Sequence, residues 1–158
     1  MPGSGKTTVG RRLAAALGWT LIDSDDQIRS RYGMTGEELA DRSGLAALHG
    51  AEGRLLVEAL EDRTPAVIGA AASVADSPAA VEALEASEEL IVHLTADPDT
   101  LASRQSLGSQ RRPIGPEELE TLAAGRQVTY QRLAGLTIDT GRRSPGATVE
   151  AILSRLGC

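Results

Sequence analysis

The sequence contains no phenylalanine, one tryptophan, two tyrosines and one cysteine in 158 residues. So few rings exclude base stacking on aromatic side chains as its main way of gripping a ligand. The cysteine is the terminal Cys158, so no internal disulfide can form, and a thiolate metal site is not expected. No apolar run approaches the roughly 18 residues that a helical membrane span needs. An excess of positive charge is missing too. The formal net charge is −6, which argues against non-specific binding to nucleic acid or to an anionic membrane. The expectation is a cytoplasmic monomer acting on a small molecule. Against the acidic background one basic pair, Arg111-Arg112, stands out.

Hydrophobic residues, mainly Ala, Leu and Val, make up 41% of the chain, enough for one domain with a buried core. Helix and strand signals alternate along it. Val9, Leu13, Ala16 and Leu17 share a helical face that Gly18 ends. Trp19-Thr20-Leu21-Ile22 reads as a short strand running into Asp23-Ser24-Asp25-Asp26. Two short helices broken near Gly33 and Gly44 follow, then a longer one from about Glu52 to Leu60. Further strands are expected at 66–68, 90–94 and 136–138. Ser77-Pro78, Asp97-Pro98 and Ser144-Pro145 each place a capping side chain before a proline at the first helical position. Another helix is expected from about Pro116 to Leu133. This alternation predicts an α/β fold, a parallel sheet with helices on both faces.

The chain opens "MPGSGKTTVG". A phosphate-binding P-loop reads G-x-x-x-x-G-K-[ST], between a strand and a helix. Pro2-Gly3-Ser4-Gly5-Lys6-Thr7 supply its second half. The first glycine and the strand would lie before Met1, so Met1 is expected to be an internal residue of a longer chain. A truncated product, or a strand supplied by another chain, are the other cases. The retained half is the half that touches phosphate. Gly3 and Gly5 let backbone N–H groups approach an anion, Lys6 can reach the outer phosphates, and the Thr7 hydroxyl can ligate Mg²⁺. The bland alternative is a Gly-Ser-Gly turn ahead of an ordinary helix.

Asp23 and Asp25 stand two apart where a strand ends, so strand alternation would put both on one side. The carboxyl end of a parallel strand is where ligands bind. One carboxylate could serve Mg²⁺ while the other accepts a proton from an attacking hydroxyl. Asp-Ser-Asp is also ordinary turn chemistry. His93, inside an apolar strand, reads as a satisfied core histidine. Glu117, Glu118 and Glu120 read as a solvated helix start.

The order of these pieces resembles the shikimate kinases: the P-loop, "DSD" about twenty residues on, a Gly-Ala-Ala turn, "RQSLGSQRRP", "AAGRQVTYQRLAGLTIDT" and "SPGATVEAIL". The resemblance runs along nearly the whole chain. It implies a single P-loop kinase domain over 1–158, a three-layer sandwich with a five-stranded parallel sheet whose first strand is absent here. It also implies transfer of the γ-phosphoryl of ATP to the 3-hydroxyl of shikimate with Mg²⁺. By position, Gly3, Ser4, Gly5, Lys6, Thr7 and Thr8 would hold the phosphates, with Thr7 and Asp23 serving the metal. Asp25 would hold the substrate hydroxyl. Arg112 would fall in a mobile lid at about 104–116 that closes over ATP, and Arg104 and Pro145 would flank the adenine. Arg126 would bind the shikimate carboxylate. Lys6, Asp25 and Arg112 are the expected catalytic set.

The resemblance fails in the acceptor half. The family holds the carboxylate with a second arginine in a pattern close to G-E-x-x-F-R-x-x-E. Here Gly44-Leu45-Ala46-Ala47-Leu48-His49-Gly50-Ala51-Glu52 puts His49 at that place. Arg54, five residues on, points about 140° away. Imidazole offers one hydrogen bond where guanidinium offers two. The family's Gly-Gly-Gly turn is Gly69-Ala70-Ala71, whose methyl groups could narrow the pocket or block a glycine-only angle. The alternatives are a diverged kinase for another small hydroxylated acceptor, or a catalytically impaired nucleotide-binding protein. A nucleoside-monophosphate kinase would carry more arginines around a second phosphate.

Overall fold

The structure is a computed structural model and describes residues 3–106 and 115–158. In chain order it runs α1 (Lys6–Leu17), β1 (Thr20–Asp23), α2 (Ser24–Tyr32), α3 (Gly36–Ser43), α4 (Leu45–Glu61) and β2 (Ala66–Gly69). A short 3-10 helix (Ala72–Asp76), α5 (Pro78–Ala86), β3 (Val92–Thr95) and α6 (Pro98–Ser106) follow. The chain closes with α7 (Pro116–Leu133), β4 (Leu136–Asp139) and α8 (Pro145–Leu156).

The capping signals act as expected. The Ser77 hydroxyl accepts from the Ala80 N–H at 3.4 Å, Asp97 Oδ1 from Thr100 at 2.9 Å, and the Ser144 hydroxyl from Ala147 at 3.2 Å. One helix differs in length. α4 begins at Leu45 rather than near Glu52, because Leu48 and Ala51 are drawn into a core cluster with Ile28 and Leu55. Tertiary burial outweighs the glycines that interrupt the apolar period there.

The strands form two parallel pairs. β1 runs beside β2, from Thr20 opposite Ala66 to Asp23 opposite Gly69. β3 runs beside β4, from Val92 opposite Leu136 to Thr95 opposite Asp139. Among the described residues β2 pairs only with β1, and β3 only with β4. Between the inner edges lies a cavity of about 1090 Å³, lined by residues that include Val67 and Ile68 of β2, Val92 and Leu94 of β3, and Leu13 of α1.

Alternation along the strands feeds two faces. Val67, Val92 and Leu136 pack with Val9 and Leu13 of α1 and with Val149 and Ile152 of α8. On the other side Ile68 packs with Leu56 of α4, Val74 of the 3-10 helix and Ala80 of α5. Helices thus cover both faces, the three-layer arrangement of an α/β domain.

The α2–α3–α4 lobe hangs on Ile28, which is 0% exposed among Leu39, Leu48, Ala51 and Leu55. Ile28→Ala is expected to lower stability by about 2–5 kcal/mol, read from urea unfolding; a loss near zero would mean that the lobe does not fold with the rest. His93 departs from the reading of a satisfied core residue. Its Nδ1 is buried without a partner among the described residues, and its ring lies 4.6 Å from that of Tyr130. Burial pushes its pKa below 6.5, so the ring is neutral at pH 7. No helix among the described residues is long and apolar enough to cross a membrane.

Candidate active site

The segment from Gly3 to Thr7 bridges the two strand pairs at their carboxyl ends. On one side the Thr7 hydroxyl donates to Asp23 Oδ2 at 2.9 Å, at the end of β1. On the other, the Thr140 hydroxyl, just past β4, lies 3.1 Å from the Ser4 carbonyl and 3.0 Å from the Thr95 carbonyl. Its one proton serves one of them at a time.

Two glycines make this turn possible. Gly5 has φ +91° and caps α1, whose first turn carries no side-chain cap and no acidic residue. Gly3 has φ +78°, and a Cβ there would stand 2.5 Å from the Leu101 carbonyl oxygen. Gly3→Ala is therefore expected to introduce about 1–3 kcal/mol of strain and to weaken ATP binding. Thermal melts with and without ATP check it; an unchanged ATP-dependent shift would overturn the role given to the turn.

Asp23 is 6% exposed and serves two partners. Oδ2 accepts from Thr7, and Oδ1 accepts from the backbone N–H of Asp25 at 3.0 Å, which makes Asp23 the N-cap of α2. This corrects the spacing argument. Asp25 is not on the strand; the chain turns helical at Ser24, and Asp25 lies in the first turn of α2. Both carboxylates still stand at the carboxyl end of β1, joined by a cap rather than by strand alternation.

Gly69 ends β2 directly beside this pair, a Cβ there standing 3.4 Å from Asp23 Oδ2. Ala70 and Ala71 do not sit at glycine-only backbone angles. No non-glycine residue among those described has positive φ. Ala71, 6% exposed, buries its methyl group with Leu56, Val74 and Ala80. The turn then enters the 3-10 helix, which the Ser73 hydroxyl ties to the buried Glu52 carboxylate of α4. His49 lies one turn before Glu52, half-buried. Arg54 does not replace it, since its guanidinium faces the Tyr32 hydroxyl at 3.4 Å.

Arg126 of α7 is 7% exposed. Its Nε lies 3.1 and 3.0 Å from the two carboxylate oxygens of Asp76, and Nη2 lies 2.5 Å from Oδ2. Burial disfavours its charge, but hydrogen bonds and the charge of Asp76 outweigh it, and the net direction of its pKa is upward. One turn on, the Tyr130 hydroxyl donates to the Ala72 carbonyl at 2.7 Å. Burial pushes the Tyr130 pKa up, partly offset by Arg126. Arg104 donates to the Thr140 hydroxyl at 3.0 Å and to its carbonyl at 2.8 Å, five residues before Pro145 at the start of α8. Arg112 and most of the expected lid lie outside the described residues.

The sequence model of the shikimate kinase family matches residues 2–157. The chain belongs to the shikimate kinase family. It is 35% identical to the shikimate kinase of Mycobacterium avium (strain 104) over 161 aligned positions, covering 99% of this chain and 89% of that protein. Identity and coverage are the same for the shikimate kinase of Mycobacterium tuberculosis (strain ATCC 25177 / H37Ra). The fold matches that of a shikimate kinase from Acinetobacter baumannii solved in complex with shikimate, with TM-score 0.80, 24% identity and coverage of 98% of this chain and 88% of that one. For the Bacteroides thetaiotaomicron shikimate kinase the TM-score is 0.79 at 24% identity, over 99% and 94% of the two chains.

Shikimate kinases are phosphotransferases acting on an alcohol group, and they use ATP with Mg²⁺. The oxygens present fit that ion. Thr7 Oγ1 and Asp23 Oδ2 stand together, 2.9 Å apart. Both are hard oxygen donors of the kind Mg²⁺ takes alongside phosphate and water. Sequence reasoning missed two residues here. Thr140 pins the P-loop to β3, and Asp76 occupies Arg126. A polar residue just past a strand end was the available signal for the first; nothing local marks the second.

Proposed function

We propose that this protein transfers the γ-phosphoryl of ATP to the 3-hydroxyl of shikimate. The observation that carries the reading is the Thr7–Asp23 bond of 2.9 Å, which sets the loop hydroxyl against the carboxylate at the end of β1. Lys6, at the first position of α1, neutralises charge on the outer phosphates. Backbone N–H groups from Gly3 to Thr8 cradle them, and Arg104 and Pro145 border the base. Asp25 orients the acceptor hydroxyl and takes its proton as the new P–O bond forms. Bound Mg²⁺ would neutralise phosphate charge beside Thr7 and Asp23. Arg112 closes over the nucleotide from a lid at about 104–116, Arg126 and His49 face the acceptor carboxylate, and the Gly69-Ala70-Ala71 turn borders its ring.

The protein acts as a cytoplasmic monomer on a small molecule, without nucleic acid. A coupled assay for ADP release with ATP, Mg²⁺ and shikimate tests the reading; shikimate-dependent release supports it, and its absence at millimolar shikimate overturns it. A second reading, a kinase for another small hydroxylated acceptor, is favoured by His49 and by the engagement of Arg126 with Asp76. Release that depends on an uncharged polyol instead of shikimate would establish that one.

A further inference from the structure

The Arg126–Asp76 pair is unequal. The arginine side chain is 9% exposed and the aspartate side chain 45%. The guanidinium is held by the packing of α7, whereas the carboxylate reaches it from the solvent side, at the end of the 3-10 helix. Two-point binding by Nε and Nη2 is the geometry with which arginine recognises any carboxylate. The pair stands at the candidate site. Tyr130, one turn beyond Arg126, bonds the Ala72 carbonyl, and the chain before Ala72 runs back through Ala71 and Ala70 to Gly69, which stands opposite Asp23 in the β1–β2 register.

We propose that Asp76 is an internal competitor that occupies Arg126 in place of an acceptor carboxylate and so sets the affinity for carboxylated acceptors. The inference rests on the proposed function for the identity of the acceptor. Asp76 is tethered, so it contends with a dissolved acid at high effective concentration. An incoming carboxylate must displace it, and the exposed aspartate then turns into water. Exchange swaps one charged partner for another and leaves no charge buried alone. A site whose competent form is only a fraction of the population binds more weakly by that fraction. If Arg126 is open about one-tenth of the time, the apparent affinity falls about ten-fold. His49 restores less of it than a second arginine would, since its imidazole offers a single bond where a guanidinium offers two.

The test uses Asp76→Ala, with Asp76→Asn as a second variant that keeps the side-chain volume while removing the charge. Calorimetry with shikimate and with its methyl ester reads binding, and the coupled assay reads turnover. The expected result is a gain in shikimate affinity of about ten-fold for Asp76→Ala, with a smaller gain for Asp76→Asn. The ester should bind all three proteins alike, and the Michaelis constant for ATP should not move. Equal gains for acid and ester, or none for the acid, would overturn the proposal and leave the pair as a structural tie between α7 and the 3-10 helix. So would a failure of every form to bind shikimate. The proposed function fails separately. An acid-selective gain without phosphoryl transfer in any form removes shikimate as the phosphoryl acceptor and keeps the competitor; turnover at an unchanged Michaelis constant does the reverse.

Discussion

Asp25→Asn is expected to lower turnover with shikimate by about 10²–10⁴-fold, the range for losing a general base, while ATP affinity is expected to stay close to that of the parent. The separation follows from the geometry. What Asp23 binds at residue 25 is the backbone N–H, at 3.0 Å, and asparagine keeps that group. The cap of α2 persists, Asp23 keeps its hold on Thr7, and the nucleotide half of the site is untouched. Asparagine also matches aspartate in size, and the side chain at 25 is exposed. The ability to take a proton is lost. Steady-state kinetics with shikimate varied at saturating ATP, together with ATP titration by calorimetry, make the measurement. A turnover number within a few-fold of the parent would remove Asp25 as the base.

Lys6→Ala is expected to lower kcat/KM for ATP by about 10²–10³-fold, the scale on which a preorganised charge stabilises a transition state. Lys6 is the first residue of α1, and no acidic side chain lies in that first turn. A cation at a helix N-terminus opposes the macrodipole, so the helix end itself is not stabilised by the charge standing there. A local rule broken in this way is the mark of a functional position, and phosphate held between Lys6 and the helix end accounts for it. Melting and ATP titration separate the two roles. A large fall in melting temperature with ATP affinity preserved would show that Lys6 serves the structure instead.

Much of the fold was legible in the chain. The expected strands at 19–22, 66–68, 90–94 and 136–138 all formed, each shifted or extended at an end, because apolar runs bounded by Gly, Pro and Asp leave few alternatives. The Ser-Pro and Asp-Pro starts of α5, α6 and α8 were fixed by a side-chain oxygen next to a residue with no N–H to satisfy. The P-loop was legible for a similar reason. Its chemistry is local, so its residues are contiguous. The acceptor side was much less legible. His49 and Arg126 stand far apart in the chain, and residue type alone said nothing of their partners.

Three points needed the tertiary structure. The Gly-Ala-Ala turn read as able to block a glycine-only angle, yet no non-glycine residue among those described has positive φ and the Ala71 methyl faces the core with Leu56 and Val74, a direction no sequence pattern specifies. Asp25 read as a strand residue, but the Asp23 cap turned the chain into a helix first. The partner of Arg126 lies 50 positions away in sequence, and only the packing of α7 against the 3-10 helix brings Asp76 within reach. What the sequence determined by itself was the set of elements and the P-loop pattern from Gly3 to Thr7, since both follow from neighbours along the chain. What the tertiary structure decided was that Arg126 meets Asp76, because an ion pair between distant segments depends on distance in space.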